Sequence, residues 1–411
     1  MRKIYSALDI GSDTLKLVVG EFYNNKLNVL CGLSKQSAGY QNNVITDKEE
    51  LIKSIKLLIN EVYDKINVNI KKIILNIPVS YCEFFYTTGK IAVSDEEGVV
   101  TGDDILKVLK DSSNDKIPQN EELIGIQPVI FSVDDEECKM PLNKRGKTLS
   151  VKSVLVTSSK RFIYDFIKVI EESELEVADI TCNGLCDYAN FYTESLNNKN
   201  GVMVNIGNTS TSVNIISKGI FINSEILNIG GIEVEKDICY TFNLKRSDAR
   251  YLKENLALAS EKNASVKKQL KVISREGYEV SINQYELSAL VSSRVSEILN
   301  LVKKSINHLT KKEISYIIVS GGLTELRDMA LLVHQVFGSK GRIGVINYLG
   351  VRNNIYSTAV GMLISFNNKL RLRDKDYCMF TDDDIDALTN GASSVNNDSI
   401  LGKVFGYFFD N

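Results

Sequence analysis

The chain has 411 residues, 44% of them apolar and 25% charged, with a formal net charge of −3. At about 150 residues per domain the length predicts two or three lobes, and the balance of apolar to charged residues excludes wholesale disorder, a collagen-like repeat and a small disulfide scaffold. So small a net charge also argues against a general electrostatic pull toward nucleic acid.

Residues 4–33 read as three short strands joined by tight turns: Ile4–Ile10, Thr14–Phe22 and Lys26–Gly32. Lys48–Ile66 then carries Leu51, Ile55, Leu58 and Val62 at helical spacing, the stripe of an amphipathic helix. Ile73–Ile77 reads as a buried strand ending at Pro78. Residues 80–150 interrupt the plan with a helix at Asp103–Asp111, strand-like runs at Leu123–Val133 and Leu149–Thr157, and exposed acids at Asp134–Glu137. A helix at Ser159–Ser173 follows, and residues 201–229 then repeat the opening three-strand plan about half a chain later. A second insertion over 231–300 holds helices, a lysine-spotted loop from Lys262 to Lys271 and a short strand at Tyr278–Ile282. Helix Gln284–His308, strand Ile314–Val319, helix Thr324–Phe337, strand Arg342–Ile346 and helix Asn354–Asn367 complete an alternation that predicts α/β lobes. Residues 381–399 are small, polar and acidic, as in a linker, and the final dozen residues turn apolar.

Both three-strand units place a glycine turn after their first strand, and these turns carry the candidate chemistry. In Asp9-Ile10-Gly11-Ser12-Asp13, a bare Gly11 admits a phosphate close to the backbone while the turn amides and the Ser12 hydroxyl donate to its oxygens. Asp9 can hold Mg²⁺ through water, because that ion keeps much of its hydration, and Lys16 adds a positive charge. The second turn is Asn205-Ile206-Gly207-Asn208-Thr209-Ser210. A third glycine element, Ser320-Gly321-Gly322-Leu323, ends a strand and admits a flat ring or an α-phosphate. Each of these, alone, reads first as an ordinary turn; two hairpins facing one phosphate chain are a specific arrangement.

Other chemistries have little to draw on. Cys31, Cys82, Cys138, Cys182, Cys186, Cys239 and Cys378 include no CxxC pair, which disfavours a disulfide framework or thiolate zinc site. Cys182 and Cys186 have the spacing of one helix face and read as packing residues. His308 and His334 are the two histidines, and neither has the companions of a zinc site or a Ser-His-Asp triad. Met1–Tyr5 leads into a strand rather than a signal peptide's apolar block, and no run is long enough to span a bilayer, so a cytoplasmic chain is expected.

The order of Asp-Ile-Gly-Ser, Asn-Ile-Gly-Asn-Thr-Ser, Ile-Gly-Gly, Val-Ser-Gly-Gly and Ser-Thr-Ala-Val-Gly-Met resembles the actin-like ATPase superfamily. Within it the chain resembles the bacterial cell-division family FtsA, through Gly230–Ile238, Ser357–Leu363, the segment order from residue 4 to about 366 and the place of the first insertion. The resemblance implies an α/β, two-lobed actin-like fold with duplicated ribonuclease-H-like cores, two inserted subdomains and a C-terminal amphipathic helix. It divides the chain into a first-lobe core (1–80 and 157–199) holding a filament-forming insert (81–156), and a second-lobe core (200–230 and 306–372) holding a subdomain (231–305) on the adenosine side. An acidic linker (373–398) and a membrane-targeting helix (399–411) complete the division.

The implied cofactors are ATP and Mg²⁺. By resemblance Asp9, Gly11, Ser12, Asp13 and Lys16 form the first phosphate loop, and Asn205, Gly207, Asn208 and Thr209 the second. Gly230, Gly231, Lys253, Gly321, Gly322 and Leu323 lie around the adenosine, and Asp9 carries Mg²⁺ through water. The chain departs from the family where Asn205 replaces an aspartate, Asn208 a glycine, and Arg250 a glutamate. An amide cannot polarise a water as a carboxylate does, so slow or absent hydrolysis is expected. Arg294 matches a family arginine that receives the acidic tail of the tubulin-like polymer FtsZ. Other implied partners are further copies of the chain in filaments, membrane lipid and later division proteins, with no nucleic acid; the implied place is the cytoplasmic face of the membrane at the division site.

In the tail, Ile400, Leu401, Val404, Phe405, Tyr407, Phe408 and Phe409 fill one arc of a helix, with Gly402, Lys403, Gly406 and Asp410 opposite. About 20 Å long, such a helix is too short to span a bilayer but suits its interface, held by apolar insertion rather than charge. Competing readings are a sugar kinase-like phosphotransferase, for which no motif places a carboxylate base between the lobes, an actin-like adaptor of pilus assembly, and a chaperone, for which too little chain follows the second lobe.

Overall fold

In the computed structural model, which describes residues 2–393, two sheets of the same topology face each other. The first is built from β1 (Lys3–Ile10), β2 (Thr14–Tyr23) and β3 (Lys26–Gln36), an antiparallel meander followed by the two-residue strands β4 (Tyr40–Gln41) and β5 (Val44–Ile45). β1 is buried almost throughout, as a strand covered on both faces must be. Helix α1 occupies Lys48–Ile66, as its spacing predicts. Asp47 caps it by accepting from the Glu50 amide at 3.0 Å, and Asn67 ends it in the left-handed region at φ 52°. β6 (Lys72–Ile77) then pairs parallel to β1.

The first insertion is a separate layer. β7 (Cys82–Ala92), α2 (Gly102–Ser113), β8 (Glu121–Val133), β9 (Glu136–Cys138) and β10 (Thr148–Ser159) form a four-stranded antiparallel sheet with one covering helix. Val100, Ile105, Val108, Phe131, Leu149 and Val151 give it a core of its own. The chain returns through α3 (Lys160–Glu172) and β11 (Glu176–Cys182), giving the first sheet the order β11-β6-β1-β2-β3, and leaves through α4 (Asn183–Phe191).

The second sheet repeats this with β12 (Asn200–Ile206), β13 (Thr211–Ser217) and β14 (Ile220–Leu227). Its insertion contains α5 (Gly231–Thr241), α6 (Arg246–Asn255), the hairpin of β15 (Gln269–Ile273) and β16 (Glu279–Asn283), and the long α7 (Gln284–Leu309). β17 (Tyr316–Ser320), α8 (Met329–Phe337) and β18 (Gly341–Ile343) complete the order β14-β13-β12-β17-β18. α9 (Ser357–Leu372) and α10 (Asp382–Ser393) follow. The fold is thus α/β and two-lobed, with duplicated cores.

Several expectations from sequence change. Helix Thr324–Phe337 starts only at Met329, because Gly322–Glu325 is a 3-10 turn and Asp328 is left-handed at φ 66°. The strand expected at Arg342–Ile346 stops at Ile343, and Asn354–Tyr356 is a 3-10 turn before α9. Lys271 lies on a strand, since β16 supplies that segment with a ladder partner. Cys182 ends a strand while Cys186 lies in α4, although both are fully buried. α9, assigned with 306–372 to the second lobe, instead lies in the first lobe's core, where Phe366 packs edge-on against Tyr5. The expected linker from 373 is structured as far as 393. Met379 donates its amide to Ile4 at 3.0 Å, Met379 and Phe380 are buried, and Thr381 and Asp384 cap α10 reciprocally. The tail residues Ile400, Leu401, Val404, Phe405, Tyr407, Phe408 and Phe409 lie outside the described residues.

Candidate functional site

Hairpin geometry positions the two glycine turns. Asp9 and Lys16 face each other in the β1–β2 ladder, and Asn205 and Ser212 hold the corresponding places in β12–β13. Each turn closes through its glycine: Gly11 donates to Thr14 at 3.2 Å and Gly207 to Ser210 at 2.9 Å. At their tips the amides of Ser12, Asp13, Asn208 and Thr209 have no backbone partner among the described residues, which leaves four donors for a ligand. A Cβ at Gly11 would press against Lys16 Nζ at 2.8 Å, so the bare backbone keeps this cradle open. Lys16 Nζ lies 3.3 Å from the Asp9 carboxylate, and both are largely buried.

The tips meet one another. Thr209 donates its hydroxyl to Ser12 at 3.0 Å, and Asn208 donates its amide to Asp13 at 3.4 Å. A cleft of about 690 Å³ lies at this junction, within the range of small-molecule and cofactor pockets. Asp9, Gly11, Ser12, Asp13, Lys16, Asn205, Gly207, Asn208, Thr209, Gly231, Lys253, Gly321, Gly322 and Leu323 all line it. Gly230 stands just behind, where a Cβ would strike the Gly207 and Asn208 carbonyls at 2.6 Å. Gly321 adopts φ 92°, a conformation that favours glycine, and a Cβ there would meet the Asn205 oxygen at 2.5 Å. The residues expected to hold the nucleotide therefore converge, while Arg294 lies apart.

A buried carboxylate organises the insertion's side of the cleft. Glu235 on α5 is 1% exposed and accepts from Lys253 Nζ at 2.6 Å, Arg246 Nε at 2.9 Å and Arg250 Nε at 3.1 Å. Burial pushes its pKa up, but the Lys253 charge and the hydrogen bonds outweigh that and hold it below the usual glutamate range. Arg250 also reaches across the cleft to Asp13 at 2.5 Å. The residue that departs from the family pattern thus ties the first phosphate loop to the second lobe's insertion.

A second buried carboxylate lies behind the second loop. Asp187 on α4 is fully buried and accepts from Asn205 Nδ2 at 2.8 Å and from the Ser357 and Thr358 hydroxyls at 3.1 Å. Burial raises its pKa to about 7 despite these donors, and the Asp9 charge pushes the same way. Neither Glu235 nor Asp187 was singled out from sequence. Each interrupts the buried face of a short helix, Glu235 beside Val234 and Ile238, Asp187 beside Cys186, and an ionisable group in such a place calls for partners.

Arg294 lies outside the cleft, on α7, beside a hollow of about 280 Å³. Its guanidinium donates to both Asp237 oxygens, at 2.5 and 2.9 Å, and to Glu297 at 2.6 Å, and the Asp237 carboxylate raises its pKa. Among the described residues no cluster of three or more His, Cys, Asp or Glu side chains could hold a metal ion, and no helix is long and apolar enough to cross a membrane.

Comparisons with known proteins agree with this architecture. A family model described as "Cell division protein FtsA" matches residues 202–361, and one described as "SHS2 domain inserted in FTSA" matches residues 80–157; together they span more than half the chain. The cell division protein FtsA of Bacillus subtilis (strain 168) is 24% identical over 364 residues, covering 88% of this chain and 83% of that protein. Among solved structures, the PilM-PilN type IV pilus biogenesis complex is similar at a TM-score of 0.59 and 11% identity, covering 88% of this chain and 98% of the other. MreB5 of Spiroplasma citri bound to ADP is similar at 0.56 and 13% identity, covering 90% and 99%.

Proposed function

Because the chain belongs to the FtsA family of cell-division proteins, as a divergent member with an actin-like fold, we propose that it binds ATP with Mg²⁺ in the interlobe cleft, self-associates into filaments and tethers FtsZ to the cytoplasmic face of the membrane at the division site. The observation that carries nucleotide binding is the meeting of two glycine hairpins and Lys253 at one cleft, with Asp9 at its base. These residues suit the cofactor: turn amides and Lys16 for phosphate oxygens, Lys253 on the opposite side, and Asp9 for the hydration shell of Mg²⁺, which would neutralise phosphate charge.

Turnover is slow in this reading. The Asp9 carboxylate is paired with Lys16, the second loop offers an amide at Asn205, and Asp13 is held by Arg250. With Asp9 committed to Lys16 and the metal's hydration shell and Asp13 to Arg250, no carboxylate among these is left to take a proton from an attacking water. Titrating Mg·ATP into the purified chain is expected to give saturable binding with hydrolysis far below the usual enzyme range of about 1–1,000 per second. Absence of binding, or rapid Mg²⁺-dependent hydrolysis, would overturn the reading. The family match favours division over pilus assembly, for which likeness to the PilM-PilN complex supports the fold alone.

Partner and membrane contacts extend the proposal. An acidic FtsZ tail would have to displace Asp237 and Glu297 from Arg294, a competition that keeps the contact reversible. The apolar arc from Ile400 to Phe409 supports a peripheral anchor, and filaments multiply weak single anchors through effective concentration. Phe405→Asp is expected to release the protein from liposomes in co-sedimentation; continued pelleting of that variant counts against the anchor.

A further inference from the structure

The fully buried Asp187 touches no face of the cleft directly, yet it contacts three elements at once. It stands on α4, the exit from the first lobe; Asn205 is the penultimate residue of β12, next to the second phosphate loop; Ser357 and Thr358 open α9, which returns to the first lobe. Three side-chain donors converge on its two oxygens, at 2.8, 3.1 and 3.1 Å. The Asn205 amide nitrogen is also 3.4 and 3.3 Å from the Ser357 and Thr358 hydroxyls. The Asn205 nitrogen faces Asp187 and both hydroxyls while its oxygen points away, the arrangement an ionised carboxylate requires because it only accepts hydrogen bonds. With a pKa of about 7, Asp187 enforces it above neutral pH. The Asn205 oxygen lies against Gly321, on the cleft side, where a Cβ would come within 2.5 Å of it.

We infer that Asp187 is a positioning residue for the second loop: it fixes Asn205 in the orientation that presents a neutral carbonyl oxygen, rather than an amide N–H₂, toward the cleft. The carboxylate expected at position 205 stands one layer deeper here, and an amide occupies the loop. Its meaning for the nucleotide rests on the ATP reading above; the orientation of Asn205 does not. The pair makes a definite demand on substitutions. Asn205→Asp sets two carboxylates at hydrogen-bonding distance in a buried site, and Asp187→Asn leaves an amide facing an amide with nothing to choose its orientation. Exchanging both residues restores one carboxylate and one amide at the same contact, now with the charge in the loop.

The test is the cycle of Asp187→Asn, Asn205→Asp and the double exchange, read by thermal melting and by ATP affinity with and without Mg²⁺. Each single variant is expected to melt several degrees lower, and the double exchange to recover most of that loss. The preference for Mg·ATP over metal-free ATP should rise about tenfold in the double exchange, as the loop gains a negative charge near the metal. A double variant as unstable as the two losses combined would overturn the pairing. If the melting temperature recovers while neither wild type nor the double variant binds ATP, the pairing stands and the nucleotide reading falls. Should a single variant fail to fold, the wild-type side-chain amide of Asn205 reports independently by NMR. Its protons are expected to exchange far more slowly than those of exposed asparagines, and equally fast exchange would sink the inference.

Discussion

Glu235→Gln is expected to cost about 3–5 kcal/mol of stability, the range for removing one partner from a buried charge cluster. The carboxylate is 1% exposed, so glutamine preserves its shape and removes its charge. What remains is three cations around a neutral amide: Arg246 is half exposed and stays solvated and Arg250 keeps Asp13, but Lys253, 12% exposed, loses the carboxylate it donates to. Urea denaturation reads the loss as a lower midpoint with unchanged slope, and a loss below about 1 kcal/mol would show that the cluster is better hydrated than its burial implies. The pH dependence has a definite sign. The folded-state pKa of Glu235 is depressed, so its contribution is present above the unfolded value of about 4.3 and is lost as pH falls through the lower folded value. The gap between wild type and Glu235→Gln should therefore narrow in acid. Because Lys253 and Arg250 are aimed by this carboxylate, ATP affinity should fall with stability.

Gly361→Ala should be the most damaging single methyl where α4 and α9 cross. A Cβ at Gly361 would sit 2.0 Å from the Cys186 carbonyl oxygen and 2.5 Å from its carbon, and both atoms are backbone. No rotamer change relieves that overlap; α4 and α9 must move apart. Overpacking of well-packed cores costs about 1–3 kcal/mol, and this site belongs at the top of that range because helix backbones must shift. Separation of the helices also draws Asp187 away from Ser357 and Thr358, so the second loop loosens together with the fold. Thermal melting and the exchange rate of the Asn205 amide measure the two effects. Wild-type behaviour in both would mean that the crossing is less close than described.

Individual elements show what could be read before the fold was known. α1 occupies the residues its apolar spacing marks, because Asp47, Asn67 and the stripe Leu51, Ile55, Leu58 and Val62 all act within a few residues of one another. The twin hairpins were legible for the same reason: a glycine turn between two strands is a local instruction, and its repetition half a chain later shows in the letters. α9 was placed with the second lobe by its position in the chain, and chain order does not say against which sheet a helix packs. The acidic stretch after 380 resembled a linker by composition, yet Thr381 and Asp384 cap a helix there.

By itself the sequence determined the duplicated α/β plan, the two glycine turns with Asp9 and Lys16, and the family to which the chain belongs. Only the tertiary structure decided which charges meet: Arg250 with Asp13 across the cleft, three cations around Glu235, and Asp187 beneath Asn205. The reason is physical. Periodicity and turn chemistry report forces between near neighbours, whereas Asp187 meets Ser357 across 170 positions of sequence separation, and only the return of α9 to pack against α4 brings such partners into hydrogen-bonding range.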